Sequence, residues 1–161
     1  MIRTYLPADA AEVLTLNADN VPEVGDMDAS KLALFESMAP FFRVVEVDGK
    51  VVGALVGLTE ESTAYGSPNY AWFSERHDNF AYIDRVMLAE TTRGQGWGPA
   101  LYDQFAEWAT SSDRHLLCAE VNTVPDNPRS IRFHELYGFV EMARCNPYGP
   151  DEEVAMFEKW L

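Results

Sequence analysis

The chain has 161 residues, 47% of them hydrophobic, and no run of about eighteen apolar residues, so we expect a single cytoplasmic globular domain over residues 1–161 that binds no membrane. Twelve basic and twenty-six acidic residues give a net charge of −14, which disfavours nucleic acid as a partner and favours amine-bearing molecules, although an acidic surface also serves solubility alone. The two cysteines are far apart and lack metal-ligand spacing, so we expect neither a disulfide nor a metal site.

The first third of the chain alternates between strand and helix patterns. "IRTY" predicts a strand, and Asp9 with Glu12 three residues later predicts a capping box at the start of a helix. A second helical pattern covers residues 28–38. In "FFRVVEVDGKVVGALVGL", two β-branched runs meet at Asp48-Gly49, a dipeptide that suits the positive φ angles of a tight hairpin turn.

The rest of the chain continues the alternation. "FAYIDRVML" predicts a strand, followed by a glycine-rich loop and a helix over about residues 99–109. After the strand "HLLCAEV", Asn127 has the character of an N-cap and Gly138 that of a helix stop, and "FVEMAR" and "VAMFEKW" predict two final strands. Residues 59–79 show no clear periodicity. The order predicts an α/β fold with a mixed sheet of about seven strands flanked by about four helices.

The glycine-rich loop "TTRGQGWGPALYDQF" has the composition of an anion site. Gly94, Gly96 and Gly98 remove side chains just before a helix begins, which leaves unpaired backbone N–H groups and the positive end of the helix dipole open to a phosphate. The spacing matches neither a nucleoside-triphosphate loop nor the dinucleotide fingerprint. An ordinary tight turn from strand to helix is the alternative.

Two motifs in the right order give this loop a context. Arg93-x-x-Gly96-x-Gly98 resembles the acetyl-CoA-binding signature of the GNAT superfamily of N-acetyltransferases, Arg/Gln-x-x-Gly-x-Gly/Ala. "NPRSIRFHELYGF", which begins at Asn127, resembles the second family signature, Asn-x-x-Ala/Ser with a helix ending in Gly-Phe, and its "FHELYGF" is similar to the phosphinothricin-type branch. The resemblance spans nearly the whole chain except residues 59–79, and it implies a splayed GNAT-like sheet.

The resemblance also implies that acetyl-CoA is a co-substrate, with no metal required. The strand before the loop would offer backbone hydrogen bonds to the pantetheine arm, and the loop amides together with a basic side chain would hold the pyrophosphate. Two asparagines are alternatives for a side chain near the pantetheine, because "NTVPDN" is about two residues longer than is usual in the family. The implied cofactor-binding residues are Val86, Met87, Leu88, Arg93, Gly94, Gln95, Gly96, Trp97, Gly98, Asn122, Asn127 and Ser130.

Asp84 and Glu120 are the candidates for a general base. Each interrupts an otherwise apolar strand, where a carboxylate is costly unless it is paired or used. Either side chain would deprotonate an ammonium acceptor, directly or through water, and a backbone N–H near Val86 or Met87 would polarise the thioester carbonyl. Internal salt bridges, for example between Arg85 and Glu120, are the structural alternative.

The proton donor for the departing thiolate has two candidates. The family commonly carries a tyrosine four residues before the glycine of Gly-Phe, where this chain has His134, and Tyr137 lies one residue before that glycine. Both lie on one helix face, and acidity favours Tyr137, which stays protonated at neutral pH. His134 remains the alternative by position, and both residues also fit packing roles.

Residues 59–79 are rich in aromatic side chains and connect two strands. We expect them to form either part of the acceptor site or a homodimer contact. The predicted function is direct transfer of an acetyl group from acetyl-CoA to a primary amine of a small molecule or amino acid. The alternatives are acetylation of a protein or peptide amino group, and a non-catalytic acyl-CoA-binding or sensor protein of the same fold.

Overall fold

Seven strands form one mixed sheet in the computed structural model of the chain, which describes all 161 residues. In chain order the strands are β1 (Ile2–Thr4), β2 (Phe41–Val47), β3 (Lys50–Thr59), β4 (Ala81–Leu88), β5 (Leu116–Val124), β6 (Val140–Cys145) and β7 (Glu153–Trp160). Across the sheet the order is β1-β2-β3-β4-β5-β7-β6. All neighbours are antiparallel except β4 and β5. The predicted mixed sheet is confirmed.

Five α-helices cover the two faces of the sheet, one more than expected. They are α1 (Ala10–Ala18), α2 (Ala29–Met38), α3 (Pro68–Ser74), α4 (Trp97–Ser111) and α5 (Pro128–Tyr137). The additional helix is α3, which lies in the segment without clear periodicity because seven residues are too few to display one. None of the five combines the length and apolar character that crossing a membrane requires.

The predicted turn and caps of the later elements are confirmed. Asp48 and Gly49 both have positive φ angles, 51° and 74°, in the turn between β2 and β3. Asn127 caps α5 by accepting a hydrogen bond from the amide of Ser130 at 3.3 Å, and Gly138 ends the same helix with a φ of 99°. Local chemistry was sufficient to predict these three sites.

The capping box predicted at Asp9 and Glu12 is wrong. The Asp9 carboxylate accepts two hydrogen bonds from Arg3, each at 2.8 Å, and the side chain makes no cap hydrogen bond to α1. Glu12 accepts from the backbone amide of Val51 in β3, also at 2.8 Å. Tertiary partners therefore bind both side chains that a local rule assigned to the helix end.

Two apolar layers lie on opposite faces of the sheet. One layer includes residues of α1, α2 and α3, with Val13, Phe35 and Phe73 fully buried. The other includes residues of α4 and the segment that follows α5, among them Phe105 and Phe139. The sheet is thus covered on both sides, and the central strand β3 is a nearly continuous run of buried residues, whereas β4 is buried throughout only in its first three residues.

The parallel pair β4–β5 holds together over three residue pairs, Ala81↔Leu117, Tyr82↔Cys118 and Ile83↔Ala119. Beyond them the two strands separate. Asp84 is also the extra residue of a β-bulge, since Ile83 and Arg85 pair with consecutive residues of β3. A cleft opens where the pairing stops, and Asp84 and Glu120 are the first residues beyond it on each strand.

We expect Gly57→Ala to lower the free energy of unfolding by about 1–3 kcal/mol in urea denaturation. A Cβ at Gly57 in β3 would lie 2.2 Å from the ring of Phe105, which is fully buried and has no room to move aside. Gly66→Ala is the matched control, because a Cβ there meets nothing within 4 Å. Equal stability of the two variants would show that α4 does not pack on β3 as described.

Candidate active site

The separating strands form one wall each of a cleft of about 900 Å³. The connection between α1 and α2, the start of α4 and the start of α5 complete the lining. Twelve of the predicted site residues line this cleft, namely Asp84, Val86, Leu88, Arg93, Gly94, Gly96, Gly98, Glu120, Asn122, Asn127, Ser130 and His134. The structure therefore brings the two motifs and both carboxylates to one cavity.

Three residues predicted at the cofactor site direct their side chains elsewhere. Met87 is fully buried in the apolar layer on the α1 side of the sheet, because alternate residues of β4 face opposite ways. Gln95 donates its side-chain amide to the carbonyl of Thr91 at 3.0 Å. The indole of Trp97 packs against the other apolar layer. Any contact of these three with a cofactor is limited to their backbone.

The glycine-rich loop presents free backbone amides. The N–H groups of Gly94, Gly96, Trp97 and Gly98 donate to no oxygen of the protein, and the first amide bonded into α4 is that of Ala100, 3.1 Å from the Gly96 carbonyl. Positive φ angles of 77° and 86° explain the glycines at 94 and 96. Free amides at a helix N-terminus form an anion-binding site.

The connection between α1 and α2 crosses the cleft. Asn20 donates to the carbonyl of Leu88 in β4 at 3.3 Å and accepts from Arg93 at 3.2 Å. On the opposite wall, Asn122 in β5 donates to the carbonyl of Pro22 at 3.0 Å. These hydrogen bonds attach one short segment to both strands, so the connection forms a roof over part of the cleft.

Asp84 forms a buried ion pair. Its carboxylate accepts from Arg85 Nε at 2.7 Å, both side chains are 3% exposed, and it also accepts from the hydroxyl of Tyr65. Arg85 further donates to Asn17 Oδ1 at 2.6 Å and to the carbonyl of Gly25 at 2.9 Å. Asp84 is thus paired with a guanidinium that also anchors α1 and the roof of the cleft.

Glu120 has a different environment. Its Oε1 accepts from the hydroxyl of Tyr82 at 2.8 Å and from Nδ2 of Asn69 at 3.3 Å, whereas its buried Oε2 has no partner. The alternative of an Arg85–Glu120 salt bridge is wrong, because Arg85 is committed to Asp84. Burial and the nearby charge of Asp84 raise the pKa of Glu120 to about 8. Glu120 therefore exchanges its proton close to neutral pH.

His134 is locked as a neutral imidazole. Its Nδ1 lies 2.8 Å from the carbonyl of Ser130, which only accepts, so Nδ1 carries the proton and Nε2 accepts from the hydroxyl of Tyr102 at 2.9 Å. Burial lowers the pKa of His134 to about 4. With both ring nitrogens engaged and no charge at neutral pH, His134 does not fit the role of proton donor.

Tyr137, the preferred proton donor by sequence, lies outside the cleft lining. Its hydroxyl donates to Asp103 at 2.7 Å on the exposed side of α4, and Lys159 lies over its ring. Burial and the Asp103 carboxylate raise the pKa of the phenol further above its usual range. The structure therefore contradicts the predicted role: helical spacing placed the two residues on neighbouring positions, but not on the same side of the helix relative to the cleft.

Several residues that line the cleft were not singled out from the sequence. Tyr65, Ser67 and Asn69 come from the segment before and within α3, and Lys31 comes from α2. The Ser67-Pro68 pair was the available signal, because serine at an N-cap followed by proline marks a helix start. The segment 59–79 therefore contributes a wall of the cleft, while its role in a homodimer stays a prediction.

We measure the difference in melting temperature, Glu120→Gln minus the unaltered protein, by differential scanning calorimetry. We expect this difference to increase as the pH is raised from 5 to 9. The folded state holds the Glu120 proton up to a pKa of about 8, whereas the unfolded chain releases it near about 4.3. The unaltered protein therefore loses stability as pH rises through this window, and glutamine does not titrate. A constant difference across the window would mean that Glu120 titrates normally.

Comparison with known proteins is consistent with this geometry. Acetyltransferase Atu2258 of Agrobacterium fabrum is 30% identical over 112 residues, which is 70% of this chain and 66%, or just under two thirds, of that protein. Among solved structures, Ard1 from Thermoplasma volcanium has a TM-score of 0.82 at 24% identity, covering 100% of this chain and 97% of its own. For yncA from Salmonella typhimurium with its cofactor acetyl-CoA, the TM-score is 0.73 at 19% identity, with 99% and 92% covered. Residues 11–139 match the acetyltransferase (GNAT) family, and because this match covers most of the chain, the chain belongs to that family.

Proposed function

We propose that the protein is an acetyl-CoA-dependent N-acetyltransferase that transfers an acetyl group directly to a primary amine of a small molecule or amino acid. The observation that carries the proposal is the state of Glu120, a half-buried side chain whose buried Oε2 has no partner at the point where β4 and β5 separate. Membership of the acetyltransferase family supports the reaction class.

The lining of the cleft fits acetyl-CoA. The free amides of Gly94, Gly96, Trp97 and Gly98 suit the pyrophosphate, and Arg93 adds a positive charge beside them. The stretch of β4 from Val86 to Leu88 has no partner on the β5 side and suits an extended, hydrogen-bonding arm. When bound, acetyl-CoA supplies the activated acetyl thioester. The polarising backbone N–H near Val86 or Met87 stays a prediction.

Glu120 suits the role of general base because of its proton affinity. An alkylamine with a pKa of about 10.4 must lose a proton before it attacks, and moving that proton to an ordinary glutamate is uphill by about 8 kcal/mol. With the pKa of Glu120 at about 8, the same transfer is uphill by about 3 kcal/mol. Asp84 contributes as the fixed negative charge that raises this pKa. Burial and a neighbouring carboxylate thus prepare one side chain for proton exchange.

The proton balance of the transfer needs no separate acid. An alkylammonium loses two protons on becoming an amide. One passes to Glu120, and the other balances the proton that the departing thiolate takes up. The neutral Tyr102–His134 pair lies in the wall of the cleft, where its mutual hydrogen bond keeps both polar groups satisfied. We assign that pair a role in shaping the wall.

The roof of the cleft supports a small acceptor. The segment between α1 and α2 is attached to β4 through Asn20 and to β5 through Asn122, so a polypeptide has no unobstructed path across this side. Glu23, Asp26 and Glu152 also line the cleft and favour a cationic amine over an anionic one. A small ammonium-bearing molecule fits both features.

We expect Gly98→Asp to abolish coenzyme A binding in isothermal titration calorimetry, while Gly98→Ala retains it. A Cβ at Gly98 meets its nearest atom, on Leu88, at 3.7 Å, so both variants should fold. The added carboxylate of the aspartate would repel the phosphate that the amides attract. Normal affinity in a folded Gly98→Asp variant would remove the loop from the cofactor site.

A panel of primary amines with acetyl-CoA, followed by the release of free thiol, tests the activity itself. We expect at least one amine to be acetylated, and Glu120→Gln to lower its turnover by roughly 10²–10⁴-fold with coenzyme A affinity unchanged. Asp84→Asn should instead destabilise the fold by about 3–5 kcal/mol, because it leaves Arg85 buried without its partner. Coenzyme A binding without thiol release from any small amine or amino-terminal peptide would favour the acyl-CoA-binding or sensor alternative.

A further inference from the structure

Two neighbouring acceptor atoms in the cleft receive no hydrogen bond from any donor of the protein. They are Glu120 Oε2 and Asn69 Oδ1, both buried. The two side chains are joined by the hydrogen bond from Asn69 Nδ2 to Glu120 Oε1 at 3.3 Å. Asn69 is 8% exposed and lines the cleft on the α3 side. The pair thus combines one hydrogen bond between its members with two acceptor atoms that no protein group reaches.

The orientation of the Asn69 amide follows from the chemistry of its partner. Once deprotonated, which is the form that binds a cation, the Glu120 carboxylate only accepts hydrogen bonds, so the amide nitrogen of Asn69 faces Glu120 and the carbonyl oxygen remains free. Buried polar atoms in folded proteins are almost always paired, because an unpaired one forfeits its hydration without compensation. Two such atoms on bonded neighbours therefore point to a ligand that donates two hydrogen bonds.

We propose that Asn69 is an acceptor-binding residue, and that Asn69 Oδ1 and Glu120 Oε2 together bind the –NH₃⁺ group of a primary alkylammonium, each accepting one N–H. This inference rests on the proposed function and adds a second contact to it. When one proton passes to Glu120, the nitrogen keeps its hydrogen bond to Asn69, which holds its new lone pair in a fixed direction. Asn69 thus orients the nucleophile.

The backbone that carries Asn69 is rigid. Ser67 caps α3 by accepting from the amide of Tyr70 at 3.4 Å, and the hydroxyl of Tyr70 donates to the carbonyl of Thr59 at 2.7 Å. Phe73, one turn after Asn69, is fully buried in the core. A short helix fixed at both ends holds the amide in place before any acceptor binds, which lowers the entropic cost of binding.

The test uses the full-length protein without acetyl-CoA and follows Glu120 directly. The ¹³C signal of the Glu120 carboxyl, assigned by its absence in Glu120→Gln, is titrated with pH at increasing concentrations of n-propylammonium or tetramethylammonium. The two cations carry the same charge, but tetramethylammonium has no N–H. The titratable groups that surround Glu120 are Lys31, Tyr65, Tyr82, Asp84, Tyr102, Cys118 and Tyr148.

We expect n-propylammonium to lower the titration midpoint of Glu120 from its starting value of about 8, because an ammonium favours the carboxylate, and tetramethylammonium to leave it in place. Asn69→Ala should raise the half-saturating concentration of n-propylammonium at least about fivefold, the size of one lost hydrogen bond. Asn69→Ser provides a second variant should alanine disturb α3. Asn79→Ala, at an exposed asparagine without hydrogen bonds, is the matched control and should behave like the unaltered protein.

Two results would overturn the proposal. Equal effects of both cations would mean that the site responds to charge and not to N–H donors. An unchanged half-saturating concentration in folded Asn69 variants would mean that Asn69 only holds Glu120. Because the measurement needs neither cofactor nor turnover, it separates this inference from the proposed activity: ammonium binding without thiol release would refute the activity alone.

Discussion

The separation of β4 from β5 is the constraint on which the site depends. Three residue pairs join the two parallel strands, and the bulge at Asp84 coincides with the end of their pairing. Strand edges that no longer bond each other leave backbone groups and side chains facing a gap in the middle of the domain. The glycine-rich loop lies at the end of β4 and the helix of the second motif follows β5, so this one divergence aligns both motifs with one cleft.

The same divergence places two carboxylates side by side, and their surroundings give them opposite properties. Arg85 forms an ion pair with Asp84 and at the same time ties α1 and the roof of the cleft to β4. Glu120 receives hydrogen bonds from neutral groups only, and these offset only part of the rise in its pKa that burial and the negative charge of Asp84 cause. A fixed charge and a proton-exchanging group are thus built from two residues that look equivalent in sequence.

Where the sequence predictions failed, a tertiary partner replaced a local one. At Asp9, hydrogen bonds from Arg3 replace the predicted capping box. The hydroxyl of Tyr137, the predicted proton donor, is bonded to Asp103 on a different helix. His134, in the family position of a tyrosine, is held neutral by Tyr102. None of these partners lies within a turn of the residue that it binds, so no periodic pattern records the pairing.

The sequence by itself determined the elements other than α3, the mixed sheet and the glycine loop, because alternation, capping residues and positive-φ glycines act over a few neighbouring positions. It also singled out Asp84 and Glu120 as candidate functional residues, since a charged residue within an apolar strand pattern can be recognised from the sequence alone. Only the tertiary structure decided which carboxylate is paired, which face of α5 meets the cleft, and that Asn69 reaches Glu120 across 51 positions of the chain. Hydrogen bonds and burial at that separation depend on where the sheet divides and how the helices pack, and these are properties of the whole fold.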